Sequence, residues 1–343
     1  MADLCRKTLA VLGITSGFVL VWFILIEGSQ VLLVGFAGIL LAVLLRGLSD
    51  FLSRKAGIRE GLALLLVITG LLAAVALTLW LRAGEISEQV HMLFSQLPDA
   101  LASLKSRFAE NPVVQDIAGY LPGMDSILSS HGNLLLKITG VFSGALSFFS
   151  GILLIFVISV FLAANPELYI RGVLRLIPPY KRSRGRDILT STGTTLKNWL
   201  LGKLALMMFV GIATYIGLAL LGVPLTLTLA VLAGLLDFVP NFGPVIAAIP
   251  AALIALLQSP RSALWVLVLY FAVQVAENYV LTPVVQRKVV KLAPALTITV
   301  QILLGALLGL LGMVFAIPLT AAAVVLIREL YIRDALGDQG GGS

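Results

Sequence analysis

Two long apolar segments of this chain cannot be continuous helices, and the two are related. From Leu225 the chain reads LTLTLAVLAGLL and from Leu296 it reads LTITVQILLGAL. Leu225/Leu296, Thr226/Thr297, Thr228/Thr299, Leu232/Leu303, Gly234/Gly305 and Leu236/Leu307 are identical. Each copy is then interrupted, by Asp237-Phe238-Val239-Pro240-Asn241-Phe242-Gly243-Pro244 in the first and among Gly305, Gly309 and Gly312 in the second. Each resumes with Ala-Ile-Pro, ending at Pro250 and at Pro318. A proline removes a helical donor and biases the residue before it away from helix. Backbone left unpaired in lipid is costly, so interrupted chain at membrane depth must be covered by protein or line a watery cavity. Paired, interrupted apolar segments are the best sequence pointer to a transporter's binding site.

Composition makes the lipid argument apply. The chain is 59% hydrophobic and 12% charged, whereas a soluble domain is about half apolar and roughly a quarter charged. The fold expected is all-α and polytopic. The net charge of +7 resides in short loops, which reads as membrane orientation and not as nucleic-acid binding. The single Cys5 allows no disulfide within the chain. Arg6 and Lys7 precede an apolar run with no small-residue cleavage site, so the run reads as a retained span.

About 20 apolar residues cross a bilayer. Six full spans are expected, near Thr8–Ile26, Val31–Leu45, Leu62–Leu81, Ile138–Ala163, Leu204–Leu221 and Ala263–Leu281, with the interrupted segments Leu225–Leu257 and Leu296–Ile327 beside them. Arg46, Arg54, Lys55 and Arg59 follow the second span, and Arg171, Arg175, Lys181, Arg182, Arg184, Arg186, Lys197 and Lys203 follow the fourth. Both stretches are assigned to the cytoplasm, and the acidic stretch between spans three and four to the outside. With Arg287, Lys288 and Lys291 inside, each interrupted segment must return to the face it entered from, the first from outside and the second from inside. That predicts two helical hairpins, re-entrant or made of short paired spans, in an inverted repeat. Both termini are then cytoplasmic.

The organisation expected is an N-terminal scaffold of helices over 1–82 and an external amphipathic segment over 83–137, where Ile86–Phe108 has helical spacing. A fourth span and basic segment follow over 138–203, then span-plus-hairpin units over 204–257 and 258–333, and a linker-like tail over 334–343. The Asp187–Leu200 stretch also reads as amphipathic, suited to a lipid surface or a subunit contact.

Only Asp237 and Glu277 of the acidic residues fall deep in the apolar C-terminal half. Intramembrane carboxylates are costly and face an interior or a pathway by default; the competing reading is a helix-locking hydrogen bond. Tyr270, Gln274, Asn278 and Leu281 share a helix face near Glu277. Asn241 in the first tip and Asn278 are the better candidates for direct contact with solute. Pro240, Gly243, Pro244, Gly309, Gly312 and Pro318 are the candidate hairpin-tip or hinge residues. Gly305 and Gly309 have the spacing of close helix packing, and the threonines of the arms are expected to bond back to helix carbonyls. His91 and His131 lack metal-ligand spacing, and no phosphate loop, metalloprotease motif or nucleophile elbow occurs. No metal, cofactor or catalytic residue is assigned.

Three blocks, DFVPNFGPVIAAIPAALIALL (Asp237–Leu257), AENYVLTPVVQRKVVKLAPALT (Ala276–Thr297) and LLGLLGMVFAIPL (Leu307–Leu319), occur in an order that resembles the autoinducer-2 exporter family of bacterial membrane proteins. Pro240, Gly243, Pro244, Pro250, Glu277, Asn278, Pro283, Gly312 and Pro318 match positions typical of that family. The resemblance implies a multi-pass transporter of the bacterial inner membrane and a homo-oligomer, with a pentamer as the candidate number. Members are associated with export of autoinducer-2 and others with sodium/proton exchange. The tip departs from the pattern, with Asn241 and Phe242 where many members have an aromatic and then an aliphatic residue. The expectation is a secondary transporter that exports a small polar solute, with Asp237, Asn241, Gln274, Glu277 and Asn278 at the solute or ion. The alternatives are a cation/proton antiporter and a membrane scaffold that carries nothing.

Overall fold

In the computed structural model the residues described are 28–73, 150–285 and 293–337, with isolated positions 16, 76, 77, 80, 84, 88 and 92. The first expected span, the body of the external segment with both histidines, Cys5, the basic loop 286–292 and the tail 338–343 lie outside them. The described residues contain helices and turns, with no strand among them. Four helical stretches are long and apolar enough to cross a membrane, Ser29–Ala56, Pro179–Leu220, Pro260–Val284 and Pro294–Arg333. The bent pair Ser150–Ala164 and Pro166–Arg175 makes a fifth if counted as one span.

The chain divides into two compact units. The first comprises Met1–Leu64, Ser150–Lys197 and Val290–Ser343. Its helix α1 (Ser29–Ala56) runs well past the expected span, so Arg46, Arg54 and Lys55 are helical. Gly57 stops it at φ 67°, with its N–H on the Ser53 carbonyl at 2.9 Å, a left-handed cap that glycine supplies without a Cβ penalty. Helix α2 begins at Glu60 (Glu60–Ala73). Helix α3 (Ser150–Ala164) meets α4 (Pro166–Arg175) at 85°, because Pro166 cannot donate to the preceding turn and disfavours helix at Asn165. Arg186 donates to both Glu167 carboxylate oxygens at 2.9 and 3.1 Å and thereby holds that carboxyl below the usual carboxylate range.

Helix α5 (Arg182–Leu220) is unbroken and passes from this unit into the other at residue 198. The amphipathic stretch Asp187–Leu200 is thus part of a longer helix, with Ile188, Leu196 and Trp199 buried.

The second unit comprises Leu65–Phe149 and Asn198–Val289. Here α5 ends at Gly222, φ 66°, with Val223 N–H on the Leu218 carbonyl at 3.1 Å, a Schellman stop. Helices α6 (Thr226–Leu236) and α7 (Phe242–Gln258) form the first interrupted segment. Helix α8 (Pro260–Ala276) follows after extended Ser259, whose hydroxyl accepts from the Ser262 amide as an N-cap. A π-helical turn, Glu277–Leu281, and the short α9 (Thr282–Val285) complete the unit. Leu218, Leu229, Ala247, Ala251, Ile254 and Val266 are its fully buried centre. Thr226 donates to the carbonyl of Val223, in the turn before α6, at 2.6 Å.

In the first unit, α10 (Pro294–Leu326) is interrupted at Gly309, with φ 69° and ψ −157°. Gly305 lies against Met313, and a Cβ on Gly312 would meet the Leu304 carbonyl. Residues eight apart in a straight helix are about 12 Å apart, so the chain reverses here. The arms, 294–308 and 310–326, are each about 22–26 Å long, short of the roughly 30 Å hydrocarbon core. Gly309 itself makes the reversal, not close helix packing; no atom lies within 4 Å of a Cβ built on it. Its φ/ψ belongs to a region essentially confined to glycine.

The two breaks share a positive φ but not ψ, which is −47° at Asn241 and −157° at Gly309. Asn241, φ 68°, precedes Pro250 by nine residues, and Gly309, φ 69°, precedes Pro318 by nine. Gly309→Ala is expected to cost about 1–3 kcal/mol. Thermal unfolding midpoints in detergent check this, and equal midpoints for Gly309→Ala and the unmodified chain would refute it.

Candidate functional site

The first tip is a closed hydrogen-bonded object. Phe238 and Val239 N–H donate to the Leu235 and Leu236 carbonyls at 3.2 and 3.0 Å, and Gly243 N–H to Val239 at 2.9 Å. Phe242 N–H donates to the Pro240 carbonyl at 2.9 Å across Asn241, φ 68° and ψ −47°, which is a γ-turn of the strained hand. A Cβ on Gly243 would run into the Leu236 carbonyl, so only glycine lets α7 start this close to the end of α6. Pro244 stands in the first turn of α7, where a missing donor is harmless. The amides of Phe238, Val239, Phe242 and Gly243 are thus spent on the tip's own carbonyls and are not left for a solute. Asn241 is exposed and supplies the turn.

Asp237 and Glu277 come together, and a lysine lies between them. Lys203 Nζ donates to Asp237 Oδ2 at 2.8 Å and to Glu277 Oε1 at 3.4 Å. Gln274 Nε2 donates to Glu277 Oε2 at 3.0 Å. The lysine and both carboxylate side chains are 5% exposed or less. Asp237 Oδ1 is buried with no hydrogen-bond partner among the described residues. Three elements supply the group: α5 gives Lys203, the last turn of α6 gives Asp237, and α8 with its π-turn gives Gln274 and Glu277. Trp199, one turn before Lys203, packs edge-on against Phe238 at 5.8 Å between centroids, beside the ion pairs.

Desolvating each ion costs several kcal/mol, and a contact at about 4 Å returns about 4 kcal/mol at an effective dielectric near 20. One lysine repays two carboxylates only in part. With all three ionised the group carries one net negative charge, and Asp237 sits at a helix C-terminus, where the macrodipole opposes a carboxylate.

Glu277 opens a π-helical turn, a feature frequent at functional sites. It breaks the register expected for the polar face. Gln274 and Glu277 point inward, while Asn278 is exposed. Tyr270 is buried with its hydroxyl unpartnered. Tyr270 and Gln274 line one part of an otherwise apolar groove of about 690 Å³ between α7 and α8. Gly309, Gly312 and Pro318 belong to the other unit; Gly312 and Pro318 are buried there.

Lys203 was missed because its charge counted toward a cytoplasmic loop. The signal was present. Trp199, Lys203, Leu206, Val210, Thr214 and Leu218 recur at three- and four-residue spacing, and all are buried. A cation on an apolar helical stripe needs a buried partner, and Asp237 and Glu277 are the carboxylates that fall within the apolar runs following it.

A buried lysine between intramembrane carboxylates, beside a broken helix, is the kind of site that membrane transporters carry. The chain belongs to the AI-2E family of transporters, whose pattern, described as AI-2E family transporter, matches residues 12–332. It is 26% identical over 272 residues to the candidate transport protein YueF of Bacillus subtilis (strain 168), covering 76% of this chain and 73% of that protein. To the candidate permease PerM of Escherichia coli (strain K12) it is 28% identical over 277 residues, 77% and 76% of the two chains. To the candidate transport protein YrrI of Bacillus subtilis (strain 168) it is 30% identical over 202 residues, 57% of each chain.

Lys203→Met leaves two buried carboxylates without a countercharge and is expected to cost on the order of 3–5 kcal/mol. Adding Asp237→Asn should recover most of the loss. Unfolding midpoints of the two single variants and the double variant check this; strictly additive losses would refute direct pairing.

Proposed function

We propose that the chain is a secondary transporter that exports a small polar solute across the bacterial inner membrane, coupled to proton entry through Asp237 and Glu277. The observation that carries the reading is the imbalance of the buried group: one lysine, two carboxylates and the unpartnered Asp237 Oδ1. Uptake of one proton makes the group neutral, and its loss restores the charge. A site that changes by one charge while desolvated can bias two conformations of the protein, provided each binds the proton differently. The solute class follows the family, and a signalling molecule such as autoinducer-2 is the candidate. The inverted orientation of the two interrupted segments, their meeting near the bilayer midplane and a homo-oligomeric state belong to the same proposal. Support for the repeat comes from the nine-residue interval shared by Asn241–Pro250 and Gly309–Pro318.

A second reading, monovalent cation/proton antiport, draws on Asp237 Oδ1, a hard oxygen acceptor with no partner. Proteoliposomes enclosing a pH-sensitive dye separate the two readings. Under solute export, lumenal pH changes only when an organic solute gradient is present; under antiport, sodium or lithium alone suffices. Glu277→Gln and Asp237→Asn are each expected to reduce the coupled proton flux at least about tenfold, a barrier change of about 1.4 kcal/mol. Undiminished proton flux in both variants would overturn the assignment of the triad.

A further inference from the structure

A second polar site lies wholly in the first unit. A groove of about 580 Å³ runs between α1, the α3–α4 bend and the first half of α5, within the roughly 300–1,000 Å³ of small-molecule sites. Its floor is apolar, with Ile39, Val43, Leu162 and Ile170 among its residues. Its lip carries Arg46, Asp50 and Lys197.

The two lip cations are not equivalent. Arg46 is engaged by Asp50 at 3.3 Å and by Glu60. Lys197 is half-buried and has no ion-pair or hydrogen-bond partner among the described residues. Its stem is laid across α1 at a glycine: a Cβ on Gly47 would stand 2.8 Å from Lys197 Cδ. Gly47 thus makes room for the methylenes, and the ammonium has no countercharge paired with it among the described residues.

The adjoining α4 turns 85° from α3. It exposes Leu168 and Val173, with Leu176 beyond its end, and carries Arg171 and Arg175. Apolar residues with arginines on a helix set across a span are the pattern of a helix lying at the headgroup level. The groove beside it sits on the basic side, which charge assigns to the cytoplasm.

We infer that this groove binds an anionic phospholipid of the cytoplasmic leaflet, with the phosphate on Lys197 and an acyl chain along the floor. Basic pockets between helices on that face take such headgroups. Charge complementarity selects the occupant. An apolar segment of protein would fill the floor and leave Lys197 unneutralised, and free phosphate would leave the floor bare.

The test uses the purified full chain in neutral detergent, its unfolding midpoint measured with phosphatidylglycerol, with phosphatidylcholine of the same acyl chains, and with inorganic phosphate. Phosphatidylglycerol is expected to raise the midpoint by about 5 °C near saturation, and the other two by much less. Lys197→Gln should reduce the phosphatidylglycerol shift to the phosphatidylcholine level. Lys197→Arg should keep it, and Gly47→Ala, which displaces the stem without removing charge, should weaken it. Equal shifts from both lipids would mean that any chain or a second copy fills the groove, and the proposal fails. A full shift from inorganic phosphate, or an unchanged shift in Lys197→Gln, also overturns it. If Lys197→Gln does not fold, the Gly47→Ala and Lys197→Arg comparison decides: equal phosphatidylglycerol shifts in the two would sink the proposal.

Discussion

Lys203 is the constraint on which the second unit is organised. Its ammonium has left water, and only Asp237 and Glu277 stand beside it. The pairs tie α5 to the end of α6 and to the π-turn after α8, three elements that hydrophobic contact alone would leave free to slide. Ion pairs are a poor way to gain stability in a dry interior, since apolar residues of similar volume often do as well or better. Their value here lies in specificity and in charge. A matched pair would suffice to fix register. The third charged group leaves the site one charge away from neutral, and that excess suits coupling to an ion.

The two interrupted segments solve one steric problem in unequal ways. Both reverse through a residue with positive φ nine positions ahead of a buried or half-buried proline, and both bring a glycine of the second arm against a carbonyl of the first, Gly243 on Leu236 and Gly312 on Leu304. From the aligned first arms to the turn, however, the first copy is three residues longer, 16 from Leu225 to Asn241 against 13 from Leu296 to Gly309. The extra length holds Asp237 and a γ-turn on a non-glycine residue. The second copy turns on one glycine in a conformation that no other residue adopts cheaply. Chemistry has collected at one tip and backbone freedom at the other.

Much of this was legible in the sequence. The apolar runs, their breaks and the pairing of Asp237 with Glu277 as the unusual carboxylates required only composition and spacing. Three things were not legible, for separate physical reasons. Lys203 was hidden by a rule: charge that marks loops in most membrane proteins here marks a buried partner, and ending a span at a charge cut α5 in two. Asn278 was placed with Glu277 by 3.6-residue periodicity, which a π-turn does not obey. Gly309 was one of several glycines placed at the second break, and only its φ/ψ shows that it, and not Gly305 or Gly312, makes the turn.

The first hairpin is closed at both ends. At its base Gln258 Nε2 donates to the Gly222 carbonyl at 2.9 Å, tying the end of α7 to the end of α5. At its tip four amides are paired within the turn. Between them the arms carry small buried residues, Ala230 and Ala233 on α6 and Ala247 and Ala251 on α7. Interiors this close-packed shift between discrete arrangements and do not flex continuously. A displacement of the hairpin is therefore a rigid-body event, and its cost falls on the contacts it makes outside itself. The strongest of those is Lys203 to Asp237. Asp237 stands at the end of α6, so its pair with Lys203 ties the tip to α5 alongside the apolar core that packs the hairpin on α5 and α8.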